Sequence, residues 1–153
     1  MICVTNTFIT FNKKGIIINQ KCMMQLFHQV SQQCSKITTQ QYSTSFCSAI
    51  RLLHTDLQTP IFNIYGFVRF ADEIVDTFHG HDKQELLLQF KKETFDAIER
   101  GISLNPILNS FQLTINKYKI SHELIHAFFS SMESDLTQNK YDRQGYEGRA
   151  PGP

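Results

Sequence analysis

The sequence has no tryptophan, only four prolines and only seven glycines in 153 residues. So few breakers exclude a loop-rich or low-complexity chain. No C-x-x-C pair occurs, and the four cysteines (Cys3, Cys22, Cys34, Cys47) have no histidine at zinc-finger spacing. A chain of this length does not need disulfide staples, so they read as reduced, small apolar residues. Neither sign of charge dominates, since 15 Lys plus Arg against 14 Asp plus Glu leave a net +1. That balance excludes the broad field with which proteins hold nucleic acid or an anionic membrane surface. Long apolar runs are missing too, none approaching the roughly 18 residues of a membrane-spanning helix. The first residues, M-I-C-V-T-N-T-F-I-T-F, carry no basic group before Lys13 and make a poor secretory signal. A cytoplasmic chain is expected.

What is present is enough apolar side chain for one ordinary core: 41% hydrophobic residues, with 13 phenylalanines. Three zones differ in character. Residues 1–22 are β-branched and irregular, an extension without helical period. Residues 23–144 carry helical periodicity throughout, and residues 145–153 (G-Y-E-G-R-A-P-G-P) read as a Gly/Pro-rich tail unable to continue a helix. Within the middle zone Leu26, Phe27, Val30, Cys34 and Ile37 recur at three- and four-residue spacing. A short helix is predicted over Ser45–Leu53. Thr55 or Asp56 caps the next, which tolerates Pro60 near its first turn and ends by Phe78. Asp82 and Glu85 open a helix that Gly101 stops. Asn105-Pro106 opens another to about Tyr118, and Ser121 caps the last, running towards Thr137. The fold class is all-α.

The segment I-F-N-I-Y-G-F-V-R-F-A-D-E-I-V-D-T-F (61–78) is unusual for a surface helix. Tyr65, Arg69, Asp72 and Asp76 fall within an arc of about 60°. The opposite half holds Ile64, Phe67, Val68, Phe70, Ala71, Ile74, Val75 and Phe78. A narrow polar stripe on an apolar cylinder suits the middle of a bundle, with the stripe lining a cavity. Two carboxylates one turn apart in such a place require a positive partner. Arg69 can neutralise one, and so can a hard divalent cation. Mg²⁺ takes one or two carboxylates with water and substrate phosphate oxygens, and it turns a diphosphate into a better leaving group. The alternative is a solvated D-x-x-x-D pair of no function. Glu73, four residues after Arg69, reads as its ion-pair partner. His54, His79, His81, His122 and His126 read as structural, and Leu86, Leu87, Leu88, Phe90 and Phe95 as core.

The stretches Y-S-T-S-F-C-S-A-I-R-L-L (42–53) and I-Y-G-F-V-R-F-A-D-E-I-V-D (64–76), followed by S-M-E-S-D-L (131–136) and Tyr141, resemble the squalene/phytoene synthase family. The likeness is closest to bacterial phytoene synthases, with Ser131 where the family has glycine. It implies a helical isoprenoid synthase bundle around a deep hydrophobic cavity. It also implies head-to-head condensation of two prenyl diphosphates through a cyclopropyl intermediate. For phytoene synthases both are geranylgeranyl diphosphate and the product enters carotenoid biosynthesis. By the same resemblance Asp72 and Asp76 bind diphosphate through Mg²⁺, and Arg69 and Tyr65 line that site, Arg69 touching the diphosphate directly. Ser43 and Ser45 match an S-x-S-F element near a diphosphate; as residues they serve equally as N-caps of the following helix. Asp135 matches an acidic position facing the cavity.

After Tyr146-Glu147, members of the family enter a further helix and carry a second aspartate-rich motif, whereas this sequence reads G-R-A-P-G-P. The resemblance therefore implies an incomplete polypeptide, weakly active or inactive alone. Two other functions stay open. One is a squalene or dehydrosqualene synthase acting on farnesyl diphosphate, and the other is a non-catalytic helical interaction module. Greasy substrates would bring the chain into loose contact with a membrane face.

Overall fold

A computed structural model describes the backbone of residues 11–12, 15–16 and 20–147 and the side chains of residues 22–137. Cys3, the side chain of Tyr141 and the tail residues 148–153 lie outside the described residues. Among the described residues six helices follow one another: α1 (Gln20–Tyr42), α2 (Thr44–Arg51), α3 (Thr55–Asp76), α4 (Lys83–Arg100), α5 (Pro106–Tyr118) and α6 (His122–Glu147). Ahead of them a two-residue antiparallel ladder pairs β1 (Phe11–Asn12) with β2 (Gly15–Ile16). The all-α expectation holds for the body of the chain. Two boundaries differ from the sequence reading by more than two residues: α1 starts at Gln20, and α6 passes through Gly145 to Glu147. One glycine costs a helix only about 1 kcal/mol, so Gly145 alone does not stop it.

The caps explain most boundaries. Ser43 Oγ accepts from Phe46 N–H, Asp82 from Glu85 N–H, and Asn105 from Ile107 and Leu108 N–H. Gly101 ends α4 at φ 71°, a left-handed conformation that suits glycine. At the head of α3 the cap is His54, whose Nδ1 accepts from Asp56 N–H, rather than Thr55 or Asp56. Pro60 has no N–H for the Asp56 carbonyl one turn back. Tyr118 of α5 donates its hydroxyl to that carbonyl at 3.3 Å.

Helix α3 is the centre of the bundle and packs against every other helix. Its buried side carries Phe62, Asn63, Gly66, Phe67, Ala71, Ile74 and Val75. Phe67 lies between aromatic neighbours, with ring centroids 3.8 Å from Phe111 and 5.4 Å from Phe90, and 5.8 Å edge-on from Phe129. Leu87, Ala97, Leu108 and Ile115 complete that core. Leu88 does not join it: it stands exposed on the outer face of α4. Phe70 and Phe78 are also partly exposed, and with Tyr42, Ile74 and Leu86 they line a surface hollow of about 380 Å³.

Helix α1 turns only part of its apolar row inward: Cys34 packs against the core and Phe27 is partly buried. Leu26, Val30 and Ile37 point outward, while Ser31, Ser35 and Thr39 are buried. Small hydroxyls let α1 lie close on α3 and α5. Ser31 and Thr39 each bond the carbonyl one turn back, Ser35 Oγ meets Ser110 Oγ at 2.5 Å, and Asn109 donates to Ser31. Buried polar groups paired in this way avoid the penalty of lost hydration. A Cβ on Gly66 would come within 2.9 Å of Ser35, so glycine is required at that crossing.

Candidate active site

The polar stripe of α3 lies on the side that the core leaves uncovered. Arg69 stands at its middle and is held from two directions. Its guanidinium carbon sits 4.4 Å from the centroid of the Tyr42 ring, and Nη2 donates to Glu73 Oε1. Glu73 is therefore the ion-pair partner its spacing predicts. Thr77 and Arg69, by hydrogen bonding, keep the Glu73 carboxyl below the ordinary glutamate range against the effect of burial. Donating that hydrogen bond to Glu73 likewise holds Arg69 more firmly protonated. Arg69 Nε is buried and has no hydrogen-bond partner.

One turn on, Asp72 is partly buried and its carboxyl is pushed above the ordinary aspartate range. Burial is the chief cause. Arg69 acts against it, while the negative charges of Asp76, Glu73 and Asp135 add to it. Asp135 thus lies within electrostatic reach of Asp72 although it belongs to α6. That helix is fixed by buried Phe129 and Leu136 and by Lys91 of α4, which bonds Glu133 at 2.7 Å. Asp76 and Asp135 are themselves exposed.

The S-T-S-F element adjoins the other end of the stripe. Phe46 of α2 stacks on Tyr65 of α3 with ring centroids 4.7 Å apart. Ser43 serves as N-cap and faces Ser45 Oγ at 3.4 Å. Capping uses the acceptor lone pairs of Ser43 and leaves its hydroxyl proton free to donate. The stripe therefore runs from Ser43 and Tyr65 through Arg69 to Asp72, Asp76 and, across from them, Asp135. Tyr42 and Phe46, which the sequence reading left without a role, pack directly on Arg69 and Tyr65 of this stripe. Their position directly beside Ser43 and Ser45 was the available signal. The histidines stand apart from this stripe: His122 and His126 lie against Phe95, and His79 Nδ1 contacts Lys83 Nζ at 3.0 Å.

The donor set suits a hard cation only in part. Among the described residues, no cluster of three or more His, Cys, Asp or Glu side chains could hold a metal by itself. Two carboxylates one turn apart, with a third charge nearby, fit Mg²⁺ that takes its other ligands from water and a phosphate group. The mutual repulsion around Asp72 is the observation that favours a cation here.

Against known proteins, the squalene/phytoene synthase profile matches residues 39–147. This chain belongs to that family. The match begins before Ser43 and contains every stripe residue as well as Asp135. The chain is also similar to the presqualene diphosphate synthase of Rhodopseudomonas palustris, at 28% identity over 93 residues. That alignment covers 61% of this chain and 33% of the relative, so the chain spans about a third of that protein's length. No solved structure gives a significant match. As a member of the squalene/phytoene synthase family it has the all-α isoprenoid synthase fold. No helix among the described residues is long and apolar enough to cross a membrane.

Proposed function

We propose that this chain carries the diphosphate-binding face of a prenyltransferase. The reaction in view is the head-to-head condensation of two geranylgeranyl diphosphates to phytoene. The observation that carries the reading is the partly buried Asp72, crowded by Asp76, Glu73 and Asp135 and adjoined by the oriented Arg69. Asp72 and Asp76 would hold Mg²⁺. When bound, the cation neutralises the diphosphate and improves it as a leaving group. Arg69 offers planar N–H donors to phosphate oxygens, and the Ser43 and Ser45 hydroxyls supply further donors at the same end. Tyr65, fixed by its stack on Phe46, walls the site between them. Asp135 adds negative charge from across the stripe and so favours a second cation-binding position.

Diphosphate binding is the property to measure first, because the described residues provide one aspartate-rich helix face. Calorimetric titration with geranylgeranyl diphosphate should give binding that needs Mg²⁺. The Asp72→Asn, Asp76→Asn double change should weaken it about tenfold or more. Equal binding by the double variant would favour a non-catalytic helical module.

A second reading is suggested by the similarity to a presqualene diphosphate synthase. Farnesyl diphosphate would then be the substrate, and the product a cyclopropyl diphosphate or the squalene-type hydrocarbon formed from it. Product analysis with each substrate decides between them: a hydrocarbon formed without NADPH from geranylgeranyl but not from farnesyl diphosphate supports phytoene, whereas any product formed from farnesyl diphosphate, a retained diphosphate or a requirement for NADPH supports the second reading.

A further inference from the structure

We propose that Tyr42 and Glu73 are positioning residues that set the Arg69 guanidinium for an incoming diphosphate. The inference rests on the reading of Arg69 as a diphosphate ligand and adds two residues to it. The Tyr42 ring, 4.4 Å from the guanidinium carbon, fixes the plane of the fork. Glu73, bonded to Nη2, fixes its rotation within that plane. Glu73 is in turn held by Thr77, and its side chain is only 14% exposed, so the anchor is firm.

This arrangement leaves donors unused. A guanidinium has five N–H groups, and Nε is buried without a partner. Nε itself is closed to an incoming group, but the side chain is 28% exposed, so the Nη donors that Glu73 does not take can meet an anionic oxygen in the fork plane. A diphosphate has such oxygens in abundance. A freely rotating arginine would lose side-chain freedom on binding, whereas one clamped in advance loses little. The Glu73 charge acts in the opposite sense, because a carboxylate beside an anion site repels the anion. Positioning and repulsion therefore predict opposite signs for its removal.

The test is calorimetric titration of the chain with inorganic pyrophosphate and Mg²⁺. Clamping predicts that Glu73→Ala weakens binding despite deleting a negative charge, and that Glu73→Gln, which keeps an acceptor, recovers most of the affinity. Tyr42→Leu should weaken binding roughly 3- to 30-fold, the range of a cation–ring contact, while Tyr42→Phe, which keeps the ring and loses only the hydroxyl's hydrogen bond to Glu73, should fall between Tyr42→Leu and the parent. In an Arg69→Lys background Tyr42→Leu should have little further effect, since the two changes act through one group. Tyr42 is half exposed and its truncation leaves the core intact; circular dichroism of each variant checks folding. Tighter binding by Glu73→Ala, or parental affinity in Tyr42→Leu, overturns the clamp and leaves the diphosphate reading standing. Failure of the parent chain to bind pyrophosphate with Mg²⁺ overturns both.

Discussion

At the scale of single residues, the site bears the mark of a group held against its own preference. Asp72 has a raised folded-state pKa, so it contributes destabilisation once it is ionised. The folded chain binds this proton more tightly than the unfolded one. Stability therefore falls as pH rises from the ordinary aspartate range through the raised value, and stays lower above it. Asp72→Asn is predicted to stabilise the chain at neutral pH by on the order of 0.5 kcal/mol, with the gain vanishing in acid. Urea unfolding at both pH values measures this; a loss of stability at neutral pH would show that the Arg69 attraction outweighs burial and repulsion. Glu73 behaves oppositely. Its folded-state pKa is lowered, so its contribution is present above its unfolded value and is lost as pH falls. D-x-x-x-D spacing and the Arg69–Glu73 pair were legible from sequence. The Tyr42–Arg69 contact was not, because it joins the end of one helix to the middle of another.

At the scale of elements, helix existence was easy to read and helix orientation was not. Capping chemistry at Asp82, Gly101 and Asn105 marks boundaries locally, and the structure keeps them. Of the apolar row of α1, Cys34 reaches the core while Leu26, Val30 and Ile37 face outward. The bundle instead buries Ser31, Ser35 and Thr39, because close approach at Gly66 rewards small side chains more than large ones. That arrangement can be tested on both faces of α1. Val30→Gln and Ile37→Gln should change stability by less than about 0.5 kcal/mol, as exposed positions do. Ser35→Leu and Gly66→Ala should each cost about 1–3 kcal/mol by overpacking the α1–α3 crossing. Denaturant midpoints check both, and the opposite ranking would mean that α1 docks by its apolar face. Pro60 makes a related point: its missing donor is visible in sequence, but the Tyr118 hydroxyl that takes up the Asp56 carbonyl is brought there only by the bundle.

At the scale of the whole molecule, the architecture follows from one helix that could be recognised as central. A narrow polar stripe on an apolar cylinder implied that α3 lies inside a bundle, and it packs on all five other helices. Its ring Phe67 unites α3 with α4, α5 and α6, so Phe67→Ala should cost about 3–5 kcal/mol in thermal or chemical unfolding. Asp135 shows what sequence leaves out. Its motif suggested that it faces the same site, but only the packing of α6 brings its charge into the field of Asp72.

The central claim, that the acidic face of α3 receives a metal-bound diphosphate, is tested most directly by amide nuclear magnetic resonance with Mn²⁺ in place of Mg²⁺. In the presence of pyrophosphate, paramagnetic broadening should centre on Arg69, Asp72 and Asp76, reach Ser43 and Asp135, and disappear in the Asp72→Asn, Asp76→Asn variant. Broadening that centres elsewhere, or that survives the double change, would contradict the account.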